Sequence, residues 1–259
     1  MSEFDDLRFK HDFMAFAQQP TDVLEGALLV SRLVEPDLDA EWCRQELGAL
    51  AARVGMGADA PTIVSTLKAE GFRGSDQYRL LQNSSLAHVL RTHEGIPISL
   101  AMVVLSVAKD IGLAGHGINF PGHFMVEVEA TLIDPLAMDL VDELARRRWL
   151  KKVKRSDSEA FVVASPLATV VRMLNNLSGL ALGEKDFEGA LEFSGYKRLL
   201  APRDLGIIIE RAQIWFAAGG KDAARDTLKT ALGLAPNDMV RAQIEQQIAE
   251  LESSGRTLH

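Results

Sequence analysis

Apolar residues recur every three to four positions along most of the first hundred residues, and this spacing predicts α-helices. One helix runs to about Val54 from a cap at Asp37 or Asp39. Its apolar positions share one face: Cys43, Leu47, Leu50, Ala51 and Val54. A second helix is predicted over residues 61–70, so this part of the chain is expected to be mostly helical.

A polar, glycine-containing stretch over residues 72–83 indicates a loop. Ser84 or Ser85 is then placed to cap a short helix. The strongest helix signal begins at Pro97 and runs to Ile111. Proline suits the first turn, where its missing N–H has no partner in any case. Because this helix is apolar nearly all round, it is predicted to be central and buried.

After this helix the apolar residues alternate, which is typical of strands. Residues 115–120 form a short strand or loop, and residues 124–128 and 131–133 form a hairpin through the turn at Glu129 and Ala130. Residues 1–155 are therefore predicted to be an α+β domain, with helices first and a small antiparallel sheet after them.

Beyond a linker at residues 156–164, residues 165–259 are predicted to be all helical and to repeat. Ala190 and Pro202 are twelve positions apart, and the same spacing recurs 34 residues later at Ala224 and Pro236. Small alanines allow close helix packing and prolines end helices. The pattern resembles tetratricopeptide repeats, which predicts an array of helical hairpins.

Composition, net charge and cysteine content indicate the kind of protein and the compartment to expect. The 259 residues are 47% hydrophobic, which is ordinary for a globular protein. Their net charge of −8 argues against a general nucleic-acid surface. No apolar run reaches the length of a membrane span, and the N-terminus lacks the order of a secretory signal. A single cysteine, Cys43, fits a reducing compartment. We therefore expect a cytoplasmic protein.

Residues 145–155 carry seven basic side chains and no acid, and they include Arg146, Arg147 and Arg148. One interpretation is a contact with an acidic partner or RNA. The other is a helix whose basic end follows acidic residues, as the helix dipole favours.

The predicted hairpin places His123, Met125 and Asp134 on one face, with His123 and Asp134 as diagonal neighbours about 7–8 Å apart at Cα. A carboxylate bonded to one ring nitrogen fixes the tautomer of a histidine and raises its basicity. The pair would then be the base and the orienting group of a catalytic triad. Alternatively, Asp134 caps the turn before Pro135, and the contact with His123 is structural.

Three segments in order, residues 95–101, 121–124 and 133–135, resemble the transglutaminase-like core of the SirB-type bacterial protein family. Residues 71–74 and 83–90 fit that family's upstream pattern, and the helical tail fits its architecture. The resemblance thus covers nearly the whole chain. It implies a papain-like α+β fold in which a helix start presents the nucleophile to a His and an Asp on neighbouring strands.

Active transglutaminase-like enzymes carry a cysteine at that helix start. The resemblance aligns Pro97 with this cysteine, and it aligns His123 and Asp134 with the catalytic His and Asp. Proline offers no nucleophile. Ser99 is a weak substitute, since it points roughly 200° away from Pro97 around a helix and is placed to bond to backbone. Cys43, on an apolar helix face, is expected to be a buried hydrophobe.

We therefore expect a non-catalytic protein that binds a protein or peptide partner through its cleft and its helical repeats. The expected binding residues are Gly95, Gly122, Phe124, Arg146, Arg147 and Arg148. The alternative is a hydrolase or acyl transferase that uses His123 as general base and Asp134 to orient it. No cofactor and no metal are expected, and the oligomeric state stays open.

Overall fold

The computed structural model describes residues 3–253, so residues 1–2 and 254–259 of the predicted domains lie outside the description. The helices are α1 Glu3–Gln18, α2 Val23–Val34, α3 Ala40–Val54, α4 Ala60–Ala69, α5 Leu86–Thr92, α6 Pro97–Asp110, α7 Glu143–Val153, α8 Asp157–Ala160, α9 Pro166–Gly183, α10 Phe187–Leu200, α11 Leu205–Ala217, α12 Lys221–Leu232 and α13 Asp238–Ser253. The strands are β1 Arg73–Gly74, β2 Glu94–Gly95, β3 Gly115–Phe120, β4 His123–Val128, β5 Thr131–Asp134, β6 Asp139–Leu140 and β7 Val162–Ala164. Within the described chain, no helix is both long and apolar enough to span a membrane.

The helix predictions hold where local pattern is strong. The five apolar residues that were predicted to share a face of α3 are all buried. Of the alternative caps, Asp39 accepts the N–H groups of Glu41 and Trp42, both at 3.0 Å, and Ser85 accepts that of His88 at 3.3 Å. These side chains satisfy N–H groups that have no partner within the helix.

The sheet is antiparallel, with its five strands in the order β6–β5–β4–β3–β7. The buried helix α6 lies on one face, where its Leu105 approaches Gly115 of β3. On the other face, four strand residues and Ala160 of α8 form a buried cluster against which α7 packs; the strand residues are Ile118, Phe120, Met125 and Leu132. The predicted α+β class, with a small antiparallel sheet, is confirmed.

The chain divides into two compact units, one of residues Gln19–Met173 and the other of residues 3–18 and 174–253. This division differs from the predicted boundary. The segment expected to be a linker, residues 156–164, contains α8 and β7, and β7 pairs with β3. Three residues are too few to give a recognisable alternation, and their pairing partners are more than 40 residues away.

The second unit is built of helices, with α10, α11, α12 and α13 each packed on the next. Ala190 and Ala224, which mark the predicted repeat, are fully buried. The N-terminal α1 also belongs to this unit, because the ring of Phe13 packs on that of Tyr196 at 4.7 Å. The assignment to tetratricopeptide repeats stays a prediction.

Candidate functional site

The hairpin of β4 and β5 has the predicted register, with Val128 opposite Thr131. Its two turn residues, Glu129 and Ala130, have φ angles of 47° and 62°. Positive φ at both positions is the geometry of a type I′ turn, whose twist matches that of the flanking strands. The register therefore fixes which residues lie beside each other at the far end of the hairpin.

That far end brings His123 and Asp134 together. The Nε2 atom of His123 lies 2.9 Å from Oδ1 of Asp134, and the two side chains are 20% and 16% exposed. The same carboxylate oxygen accepts the N–H of Leu136 at 2.9 Å, so the backbone holds it in place. With the proton on Nε2 donated to Asp134, the lone pair of the ring is left on Nδ1.

Trp149 of α7 is the aromatic neighbour of this pair. Its ring centroid lies 5.6 Å from that of His123 and 5.8 Å from that of Phe120. We call His123, Asp134 and Trp149 the His123 site. Sequence reasoning missed Trp149, which is surrounded by arginines and lysines; an aromatic residue inside a basic run was the available signal.

Arg172 in α9 holds the start of β4. Its Nη2 donates to the carbonyl of His123 at 2.7 Å, and its Nη1 donates to Oδ1 of Asn119 at 2.8 Å. The guanidinium also lies 5.4 Å from the ring centroid of Phe124. Burial lowers the pKa of Arg172. This arginine fixes the backbone at His123, and its only sequence signal was a single charge in an apolar helix.

Pro97 is the first residue of α6 and is buried. The short strand β1 links its surroundings to the His123 site, because Gly74 donates its N–H to the carbonyl of Leu136 at 2.9 Å and pairs with Gly95 in β2. Leu136 comes two residues after Asp134, and Gly95 comes two residues before Pro97. The end of β5 and the start of α6 therefore lie beside the same strand.

Ser99 is fully buried, and its hydroxyl is engaged by backbone. The Oγ atom lies 2.6 Å from the carbonyl oxygen of Asn83 and accepts the N–H of Ile96 at 3.1 Å. A Cβ at Gly95 would lie 2.7 Å from that oxygen, so only glycine fits there. These contacts favour the interpretation of Ser99 as a residue that fixes the helix start.

Cys43 is fully buried within α3, and burial raises the pKa of its thiol to about 11. A thiol with that pKa is almost wholly protonated near neutral pH, whereas the thiolate is the nucleophile. Cys43 is therefore a packing residue.

Two of the predicted binding residues lie in the turn between β3 and β4 and in the strand that follows it. Gly122 has a φ of 74°, a conformation that favours glycine. Phe124 is only 2% exposed, and its ring packs against the backbone of Gly117, where a side chain would clash. Phe124 thus supports the sheet from within.

The basic run forms α7, which Asp142 caps by accepting the N–H of Ala145 at 2.6 Å. Arg146 forms two hydrogen bonds with Asp157, at 2.8 and 2.6 Å, and Arg147 forms one with Glu143 at 2.8 Å. Arg148 is exposed. Two of the three arginines are thus matched by acids of the same unit, as the helix-end interpretation expects.

Comparison with known proteins identifies the class. A family model described as the transglutaminase-like superfamily matches residues 41–175, more than half of the chain. The chain belongs to this superfamily. The match includes α6, the hairpin with His123 and Asp134, and Arg172.

Full-length relatives refine the assignment. A UPF0162 protein of Pseudomonas aeruginosa is 27% identical, over 94% of this chain and 96% of that protein. A UPF0162 protein of Xylella fastidiosa is also 27% identical, over 86% and 88%. Protein SirB1 of Salmonella typhimurium is 23% identical, over 91% and 94%. The predicted SirB-type resemblance is confirmed. No solved structure matches.

Proposed function

We propose that this chain is a transglutaminase-like protein without transferase activity, which binds a protein or peptide partner through the His123 site and its helical unit. The observation that carries the proposal is Pro97 at the first position of α6. A proline side chain has no atom that can attack a carboxamide, so the acyl transfer of the active enzymes lacks its first step.

The two other candidate nucleophiles, Ser99 and Cys43, do not restore that step. The hydroxyl of Ser99 is buried against the Asn83 carbonyl, and the thiol of Cys43 is buried and protonated. What remains at the His123 site is a partly exposed polar pair beside an aromatic ring. Such a combination suits recognition of a polar group next to an apolar one.

The helical unit supports the second part of the proposal, since stacked helical hairpins present extended surfaces to partner proteins. The single, buried cysteine supports a place in the cytoplasm.

Quantitative capture from a bacterial lysate tests the proposal. The full-length baits are the wild type, His123→Ala, His116→Ala, and Trp215→Ala, which removes a half-buried aromatic side chain of α11 in the helical unit. His116 is the matched control, because it lies on the same sheet, 3.5 Å from Glu127. We expect one set of partners to be reduced in His123→Ala or Trp215→Ala but retained in His116→Ala. Identical partner sets from all four baits would contradict the proposal.

The second candidate function is hydrolysis of an amide or ester, with His123 as general base on a water molecule. The favouring observation is the 2.9 Å contact with Asp134, which leaves Nδ1 to take a proton. Turnover that is lost in both His123→Ala and Asp134→Ala is the result that would support this function.

A further inference from the structure

The helical unit contains a groove of about 720 Å³ formed by α1, α10 and α11. Its walls are mainly apolar and aromatic, and two basic side chains, Lys10 of α1 and Arg211 of α11, stand among them. The apolar and aromatic residues are Phe187, Leu191, Tyr196, Leu199 and Trp215. We call this the α10–α11 groove. Its size suits a few residues of a peptide.

Arg211 is half-buried in this groove. Its Nη1 donates to the carbonyl of Leu191 at 2.7 Å, and its guanidinium lies 5.8 Å from the ring centroid of Trp215. Burial, and then the charge of Arg198, lower the pKa of Arg211. The Nε atom of Arg198 is itself buried without a hydrogen-bond partner. Two positive groups on neighbouring helices therefore repel each other.

Neither guanidinium forms an ion pair with any carboxylate in the part of the chain whose side chains are described, residues 7–253. Lys197, next to Arg198 in α10, gives the contrast. It is fully buried, yet its Nζ lies 2.5 Å from Glu210 and 3.0 Å from Oδ1 of Asn175. The unit thus matches its buried lysine with an acid and leaves the two arginines unmatched. An anion that entered the groove would remove an unfavourable interaction.

The rim limits which anion fits. Glu188 and Glu192 line the groove and are exposed. They would repel a strongly acidic segment, while a single carboxylate that reaches Arg211 lies among apolar walls. The ligand therefore needs a single carboxylate for Arg211 and an apolar group for the walls. A C-terminal residue supplies both in the least space, because its carboxylate and its side chain branch from one Cα. Arg211 and Trp215 offer the matching pair of contacts side by side.

We propose that the α10–α11 groove binds the free C-terminus of a partner polypeptide, with the terminal carboxylate on Arg211 and an apolar last side chain against Trp215. The inference rests on the proposed function, for which it names the chemistry of the partner. Arginine suits this role because its planar guanidinium can donate two parallel hydrogen bonds to one carboxylate.

Fluorescent octapeptide pools test the proposal with the full-length protein. The pools end in Leu or Phe and are random before it, and each is made as the free acid and as the C-terminal amide. We expect the wild type to bind the acid at least about tenfold more tightly than the amide. Arg211→Gln should bind both forms at the amide level, and Arg211→Lys should keep part of the preference. Arg203→Gln, at an exposed arginine of the same unit, is the matched control and should behave as wild type.

Equal binding of acid and amide by the wild type, or an unchanged preference in Arg211→Gln, would overturn the inference. The inference would also be overturned if an amidated pool with Asp before its last residue bound as tightly as the free-acid pool. The groove would then recognise an internal acidic side chain and not a C-terminal carboxylate. If the peptide experiment gives one of these results, the lysate experiment can still support the proposed function, provided that capture of partners depends on His123 or Trp215. The two failures are thus distinguishable.

Discussion

Two basic regions of this protein differ in a way that their sequences do not reveal. The run in α7 is the most conspicuous charge pattern in the chain, yet Arg146 and Arg147 are matched by Asp157 and Glu143 at the surface. Arg198 and Arg211 are not part of a basic run, and their helices contain both apolar and polar residues. Both arginines are nevertheless partly buried, and no carboxylate of residues 7–253 pairs with them. A partly buried arginine without a carboxylate partner therefore indicates an anion-binding position better than a dense run of exposed basic residues does.

The difference follows from solvent. An exposed arginine is stabilised by water whether or not an acid is near, so its ion pair contributes little. A guanidinium within a groove loses part of that water, and only hydrogen bonds or an opposite charge replace it. The same reasoning orders the effects that mutations in the two regions should have.

The largest effect is expected at Lys197. Glu210→Ala leaves its fully buried ammonium without a carboxylate, which should lower the free energy of unfolding by about 2–3 kcal/mol, because a broken buried pair leaves an uncompensated charge. Urea unfolding measures this value. The matched change in α7 is Glu143→Ala, which should cost less than about 1 kcal/mol. Equal losses in the two variants would mean that burial does not separate the two regions.

A pH series sharpens the same point. Burial lowers the pKa of Lys197, although Glu210 partly opposes the shift. Between the lowered pKa and the ordinary lysine value, the unfolded state binds more protons than the folded state. The free energy of unfolding should therefore gain a positive contribution from this group as pH rises through the lowered pKa.

In Glu210→Ala this gain should begin at a lower pH, because the carboxylate that raises the pKa is gone. Lys197→Met should abolish it. Urea unfolding at several alkaline pH values distinguishes the three proteins, and the same pH dependence in all of them would rule out Lys197 as its source.

The smallest effect is expected from α7. Replacing Arg146, Arg147 and Arg148 together by Gln should leave binding of the acid peptide pool within about twofold, since these charges are matched or solvated. Fluorescence anisotropy at low and moderate salt measures it. A large loss with a flattened salt dependence would instead assign an acidic partner to this helix.

Local patterns predicted the parts of the fold that depend on near neighbours. The buried face of α3 and the register of the β4–β5 hairpin followed from residue spacing, and the His123–Asp134 contact followed from that register. The family resemblance added that Pro97 aligns with the catalytic cysteine of active transglutaminase-like enzymes. Each of these features is set within a few turns or one hairpin.

The rest depends on contacts between distant segments. Trp149 and Arg172 reach His123 from 26 and 49 residues further along the chain. β7 joins the sheet only through its pairing with β3. The charged side chain of Lys197 is buried, although the pattern of α10 alone would predict a lysine to be at the surface. Side-chain pairing of this kind is decided by packing and leaves no periodic signal in the sequence.

The central claim is that the His123 site recognises a partner without turning it over. The most direct measurement is release of ammonia and methanol from glutamine-containing peptides and their methyl esters, with a primary amine present as acceptor. Wild type, His123→Ala and Asp134→Ala are compared at equal concentration, with and without a thiol-blocking reagent. We predict that all three match the rate in buffer. Release by the wild type that resists the thiol reagent and is lost in both variants would contradict the claim and establish an enzyme.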